Sequence, residues 1–569
     1  MSGASTAENF AVRLLAGARE HPDRIAIRQG TVRISYGLLA RRVRKLAGAL
    51  RDDGVGPGDR VALLFPNDHR FIEALLATVW LGAVAVPLNT RAGTAALDYV
   101  MADATPRVLL GHVSLRERAD GLAEPANVPV ILADEQQWHG LAADSMHQEA
   151  VAEAGAAAQA QPDESSGPGA GDAAAPVAET DVCFQPYTSG STGNPKGCLL
   201  SHGGQYWNAA TVAEVWQLRD DDRGLVTAPL YHKNALICVV KPLLLVGGTI
   251  VIGRSSDPRT IPAEVAEHGC TYTTGVPATY EMLLASGEQH RYDLSSLRFV
   301  ICGSAPLSES VGRSFAAELG APVLEAYGLT EGGPQVLMNP RDAEPRYGLA
   351  GRPLPGAEVR LLQVQETPAG PVSEEPEVPI GAVGEMWIRN PGVTAGYYHL
   401  PEVTARRISS DGWLRTGDLA QEQPDGYYRV LGRADDMMNV GGENVYPLEV
   451  EKLLRTMPQV SQAAVVAAPH ARKGQAPVAF VVADGIDEQQ VRSYALDHGA
   501  PHAHPRRVWF LDQLPLGGTG KVDTSQLEAL ARENLHGRAL GEEPPTGQAA
   551  GEDASGEEAP GEDTETEND

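Results

Sequence analysis

An apolar run that stops in a small-residue loop and then passes into helical spacing recurs along this chain, and that recurrence restricts the folds open to it. RVALLFPND is such a run, followed by Ile72, Leu75, Leu76, Val79 and Trp80 at helical spacing. RFVIC (298–302) runs into GSAPLS, and PVLEA (322–326) runs into YGLTEGG. Strand, loop and helix in repetition predict an α/β fold, with ligands gathered where the strands end.

Composition narrows the class of partner. The chain has 569 residues and a formal charge of −28, with 43% hydrophobic and 21% charged residues, so it can bury a large core and should hold more than one domain. A strongly acidic surface repels phosphate backbones and anionic headgroups, so nucleic-acid or membrane-surface binding by the whole chain is not expected, and with no apolar run suited to a bilayer span neither is integral membrane association. Part of the acidity is local: 541–569 holds eleven acids and no Lys or Arg, and reads as a solvated disordered tail. Residues 152–180 shift to Ala, Gly, Pro, Ser and acids without periodicity, the signature of a flexible surface insertion. The five cysteines form no CxxC pair and sit mostly in apolar stretches, as buried free thiols of a reducing cytoplasm do. No export signal is expected at the N-terminus. The longest apolar run, 234–253, is broken by Lys241, Pro242 and a Gly pair, and suits a buried helix followed by a strand.

The most informative segment is YTSGSTGNPKG (187–197), which follows the expected strand VCFQPY. Glycines let backbone N–H groups approach phosphate oxygens, Thr188, Ser189, Ser191 and Thr192 supply hydroxyls, and Lys196 supplies positive charge. Gly190 and Gly193 belong to the same cradle. A floppy Gly/Ser turn is the bland alternative. GxxxxGK followed by Ser or Thr occurs neither here nor at 517–521, which disfavours a P-loop nucleotidase.

With AYGLTEGG (326–333), GWLRTGDLA (412–420), GRADDMMNVGGENVYPLEVE (432–451) and LPLGGTGKVD (514–523), that loop forms an ordered series. The series resembles that of the adenylate-forming enzymes, the AMP-binding superfamily of acyl-CoA synthetases, luciferases and peptide-synthetase adenylation domains. The resemblance covers nearly the whole chain apart from the tail and the insertion. It implies a large N-terminal domain (1–432) of layered α/β subdomains with a small β-barrel-like part, a small mobile α+β C-terminal domain (433–538), and the acidic tail (539–569).

The resemblance also assigns residues. Tyr327 would lie against adenine, with Gly303, Ser304 and Ala305 letting the base approach backbone and Glu325, Ala326 and Gly328 flanking it. Thr330 would bond the α-phosphate, and Glu331 would hold Mg²⁺, with Thr188 completing the metal shell. Asp418 would accept from the ribose hydroxyls, with Arg433 nearby. Lys521 would stabilise the charge that builds as a carboxylate attacks the α-phosphate; an ordinary Gly-rich turn with a solvated Lys is the alternative. In the second half-reaction the C-terminal domain would rotate about Asp435, replacing Lys521 by the GGEN loop, whose Gly441 and Gly442 would border the pantetheine channel.

The acid pocket would begin at PLYHKNALI (229–237), continue through TTGVPATY (273–280) and close with Gly328 and the GGP after Glu331. Amino-acid-activating relatives carry Asp where His232 stands, so an uncharged acid tail fits better. His232 would stand near the carboxylate and the thiol channel, or else be a core histidine bonded to backbone. Many relatives carry Lys at the place of Asn439 and Tyr at the place of Asn234. The resemblance thus implies a cytoplasmic ATP-dependent acid–CoA ligase for a fatty or aryl acid, using ATP, Mg²⁺ and coenzyme A. A homodimer, an enzyme that loads a carrier protein, and a non-catalytic nucleotide-binding regulator are the alternatives.

Overall fold

The structure, a computed structural model, describes residues 8–133, 173–188, 194–303, 307, 309–364, 372, 375–516, 522–535 and 539–540. The chain divides into two compact units, Met1–Met437 with Pro515–Asp523, and Met438–Leu514 with Thr524–Asp569. Most of the expected insertion and all of the acidic tail from 541 lie outside the described residues. Where description resumes the chain is packed: the Ala175 N–H donates to Trp80 O at 2.9 Å, and Val177 is buried.

Among the described residues the first unit is built on three large sheets and one two-stranded ladder. In the nine-stranded sheet six parallel strands run in the order Ile25–Gln29, Thr249–Ile252, Arg223–Val226, Tyr272–Gly275, Phe299–Gly303, Val323–Tyr327. Antiparallel strands flank them, Val32–Ser35 on one side and Leu337–Met338 then Arg352–Pro353 on the other. Both faces of the parallel part are covered. Phe299 and Ile301 enter one apolar core while Val300 and Cys302 enter another, which is why this strand reads as a continuous apolar run rather than an alternation.

A six-stranded sheet carries the strand Arg60–Leu64 and is parallel except at the Leu200–Ser201 edge. The helix His69–Trp80 follows Arg60–Leu64, with the Asp68 carboxylate accepting from the Arg70 N–H at 3.0 Å, and the spaced apolar positions foreseen for it are buried. The small β part is a four-stranded antiparallel sheet of Glu358–Leu362, Val383–Arg389, Leu414–Glu422 and Tyr428–Arg433. Its last register pair is Asp418 with Arg433, so Arg433 belongs to this sheet, and the division into units falls after it, at Met437.

The second unit has a five-stranded sheet centred on Gly474–Ala483, which pairs with Val460–His470, Met438–Val440 and Val508–Phe510. Val478 and Phe480 face one small core, Ala479 and Val481 the other. Helices Pro447–Leu454, Glu488–His498 and Thr524–Asn534 bury apolar residues in these cores. All five cysteines are free and buried. Among the described residues no helix is long and apolar enough to cross a membrane.

Candidate active site

The residues that bracket the phosphate-loop segment pair with one another as a short antiparallel ladder. Tyr187–Thr188 pairs antiparallel with Lys196–Gly197, Thr188 opposite Lys196, so both ends of the loop are fixed by backbone hydrogen bonds. Ser189, Gly190, Ser191, Thr192 and Gly193 lie outside the described residues. From the hairpin Thr188 donates its hydroxyl to Glu331 Oε1 at 3.1 Å.

Glu331 sits in the short 3-10 turn Thr330–Gly332, just past the carboxyl end of the strand Val323–Tyr327. A second hydroxyl, that of Tyr397, donates to the same Oε1 at 3.0 Å, and the Glu331 carbonyl accepts from the Thr394 N–H at 2.8 Å. Burial and the Glu331 carboxylate push the Tyr397 phenol above its usual value, keeping it a donor. One carboxylate and two hydroxyls from separate segments make an all-oxygen set, the chemistry that suits Mg²⁺.

On the other side of the same strand end, Tyr327 donates its hydroxyl to Asp418 Oδ2. The Asp418 Oδ1 accepts from Arg433 Nη1 at 3.1 Å, and that same nitrogen donates to Thr416 O at 2.9 Å. Burial, then the neighbouring Asp418 charge, hold the Tyr327 phenol well above its ordinary value. Tyr327, Asp418 and Arg433, far apart in sequence, thus form one hydrogen-bonded row.

Gly303 ends the neighbouring strand, in register with Ala326. Among the described residues a Cβ there would meet Ala326 O at 3.5 Å and Asn234 Nδ2 at 3.6 Å, both ordinary van der Waals contacts. Gly328 is the opposite case, because a Cβ would fall 1.9 Å from Pro334 O and only glycine permits this close approach. The Glu325 carboxylate is turned to scaffold work, accepting from the N–H groups of Leu307 and Gly348. Ser304 and Ala305 lie outside the described residues.

In the expected acid pocket His232 caps the short helix Lys233–Ala235, its Nδ1 accepting from the Asn234 N–H at 3.4 Å. Lys233 donates to the Gly328 carbonyl, and the buried Asn234 accepts at Oδ1 from the Thr274 hydroxyl at 2.7 Å. These two contacts tie PLYHKNALI to both other segments named for the pocket.

In the second unit GGEN forms a two-residue hairpin turn between Met438–Val440 and Glu443–Val445. Gly441 and Gly442 have φ of +67° and +97°, so the turn itself demands glycine, and the Gly442 N–H donates to Asn439 Oδ1 at 2.9 Å. Lys521 lies outside the described residues. Tyr397 was missed in the sequence, since nothing in GYYHL marks it and its partner Glu331 is 66 positions away.

Parallel strands presenting carboxylates, hydroxyls and a Gly-rich hairpin at their carboxyl ends define a nucleotide-handling α/β enzyme. The chain belongs to the AMP-binding enzyme family, matching it over residues 14–398 and the C-terminal domain of that family over 449–521. It is 39% identical to a feruloyl-CoA synthase of an Amycolatopsis species, over 89% of this chain and 95% of that protein. It is 34% identical to an indoleacetate–CoA ligase of Aromatoleum aromaticum, over 89% and 96%. Among solved structures it superposes on ATP-bound MatB from Rhodopseudomonas palustris with a TM-score of 0.81 at 30% identity, covering 92% of this chain and 99% of that one.

Proposed function

We propose that the protein is an ATP-dependent carboxylic acid–CoA ligase acting on an aryl acid. The acid attacks the α-phosphate of ATP and releases pyrophosphate; the thiol of coenzyme A then attacks the acyl-adenylate, giving the thioester and AMP. The observation that carries the reading is the pair of constellations at one strand end, Thr188–Glu331–Tyr397 and Tyr327–Asp418–Arg433.

The Tyr327 ring supplies a stacking face for adenine beside the backbone of Gly303, and Asp418, already aligned by Tyr327 and Arg433, offers its remaining lone pairs to the ribose hydroxyls. Glu331, with Thr188, would hold Mg²⁺, whose charge neutralises the phosphates. Thr330 and the 187–197 hairpin hold the phosphate oxygens, and Lys521 stabilises the charge developing at the α-phosphate. In the second half-reaction the C-terminal unit turns about Asp435 and presents the Gly441–Gly442 turn to the pantetheine arm. The absence of an acidic side chain at His232 and the aryl acids named for the relatives support an uncharged aryl acid over an amino acid. The buried free thiols support a cytoplasmic setting.

The test is pyrophosphate release with Mg·ATP across aryl and fatty acids, with and without coenzyme A, while thioester is followed in parallel. Aryl-selective release with thioester accumulation is the expected result. Release without thioester would redirect the reading to a carrier-protein acceptor, and silence across the panel would overturn it.

A further inference from the structure

Lys241 is 3% exposed, deep in the largest core of the first unit. It follows the π-helical turn Leu236–Val240 and opens the helix Lys241–Val246. Its ammonium lies 4.1 Å from the centre of the Phe184 ring and 5.9 Å from that of Phe10. Among the described residues no carboxylate lies within ion-pair distance of it; its polar partner is Gln205 Oε1. A buried charge without a counter-charge is costly, and an apolar side chain would fill the same space without that cost.

The next link leads to the site. Gln205, fully buried on the helix His202–Val215, donates from Nε2 to the Gly333 carbonyl at 3.1 Å. One turn along, Asn208 donates to Gln335 O at 2.8 Å and accepts from the Gln335 N–H at 3.3 Å. The segment held in this way directly follows Glu331 and contains the Pro334 carbonyl packed on Gly328. An ammonium has donors only, so it accepts no alternative from Gln205: the oxygen must face Lys241 and the NH₂ must face Gly333.

We propose that Lys241 is a positioning residue for the acid pocket: its ammonium fixes the Gln205 amide so that this amide holds the Gly333 carbonyl and the loop that closes the pocket. The inference rests on the reading of 332–334 as pocket wall.

Burial pulls the Lys241 ammonium down to about 8, with Cys183 raising it. Cys183, on the strand Val182–Phe184, is the titratable group facing it; Gln205 faces it from His202–Val215 and the Phe10 ring from Phe10–Leu14. Arg19 and Glu20, on the neighbouring helix Gly17–Glu20, are exposed to solvent, and His202 answers to Asp181 and Arg13. Once Lys241 is neutral its lone pair can accept from an amide, so Lys241 no longer forbids the flipped Gln205, and the Gly333 carbonyl loses one of the two constraints that keep the NH₂ turned toward it.

The test measures KM for ferulate, benzoate and ATP in pyrophosphate release from pH 7 to 9.5, with the equilibrium Kd of each acid read alongside, in wild type, Lys241→Met and Gln205→Glu. Gln205→Glu keeps a partner for Lys241 but turns an acceptor toward Gly333. Wild-type acid KM and Kd should rise about three- to tenfold above pH 8, the worth of one hydrogen bond, with KM for ATP steady. Lys241→Met should show the raised values already at pH 7 and no further rise. Gln205→Glu should weaken the acid by about tenfold or more. Unchanged acid KM and Kd in a folded variant, or equal loss for acid and ATP with a lowered Tm, would overturn the proposal. A wild-type protein that neither turns over nor binds any acid overturns the ligase reading along with it, whereas an active wild type with the wrong variant pattern overturns this inference alone.

Discussion

The hydroxyl of Tyr327, the last residue of a parallel strand, donates to the carboxylate of Asp418 on the antiparallel sheet, and so fixes the orientation of a side chain 91 positions away. Arg433 holds the other oxygen. In the proposed function the row would keep the carboxylate aimed before nucleotide arrives, which would reduce the ordering required on binding. Tyr327→Phe keeps the ring and removes this tie. It should raise KM for ATP about three- to tenfold with kcat nearly unchanged, whereas Asp418→Ala should lower kcat/KM for ATP by about a hundredfold. Steady-state kinetics in ATP check both, and a Tyr327→Phe enzyme with wild-type KM would mean that the tie does nothing for binding.

Glu331 gathers two hydroxyls on one oxygen from segments far apart in the chain. Glu331→Gln removes the negative charge while nearly preserving shape. The Mg²⁺ concentration giving half-maximal pyrophosphate release should rise by about tenfold or more, and high Mg²⁺ should recover part of the rate. Tyr397→Phe should move the same midpoint in the same direction, but less. A Mg²⁺ titration unmoved in Glu331→Gln would remove Glu331 from the metal shell.

The two half-reactions should separate by mutation. Lys521→Ala should lower adenylate formation about a hundred- to a thousandfold, while thioester formation from supplied acyl-adenylate continues. Gly442→Leu should do the reverse. Since Gly442 has φ +97°, part of its effect will be strain in the turn, and Gly442→Ala, with the same strain and little bulk, separates channel from turn. Loss of both half-reactions in Lys521→Ala would sink its assigned role.

His202 is 2% exposed, and its Nδ1 accepts from the Phe10 N–H at 3.2 Å, which requires the neutral ring. Burial lowers its pKa from 6.5 to about 4. Between these values the unfolded chain binds more protons than the folded one, so the stability present above pH 6.5 is lost as pH falls toward 4, by about 3 kcal/mol. Melting curves at pH 7.5 and 4.5 should show that loss in the wild type and a smaller loss in His202→Gln. Equal losses would place the acid sensitivity elsewhere.

The strand–loop–helix rhythm was legible because strands buried on both faces appear as unbroken apolar runs, as at 298–302, and because the apolar spacing from Ile72 to Trp80 announces a helix. The family's motif series was legible because each member is contiguous, from Thr188 to Lys196 or from Tyr327 to Glu331. What stayed hidden is long-range pairing. Tyr397 meets Glu331, and Lys241 meets Gln205, only after the sheets have formed; Lys241 stands out as a charge in an apolar run, but no local pattern names its partner, and none marks Tyr397. Glu325 looked like part of the nucleotide strand, yet its carboxylate bonds scaffold N–H groups, a difference that depends on the loops around Leu307 and Gly348. The glycines of GGEN could be noticed in sequence, but their turn requirement appears only with their backbone angles.

The five cysteines have a chemical consequence for an enzyme whose second substrate is itself a thiol. Burial raises Cys183, Cys238 and Cys270 to about 12 and carries Cys198 and Cys302 well above their ordinary value. Thiolate is the form that attacks disulfides, so these side chains are silent at neutral pH and the nucleophilic sulfur is left to the coenzyme. The folded protein should gain no mass when incubated with coenzyme A disulfide, and should keep its activity in air without added reductant.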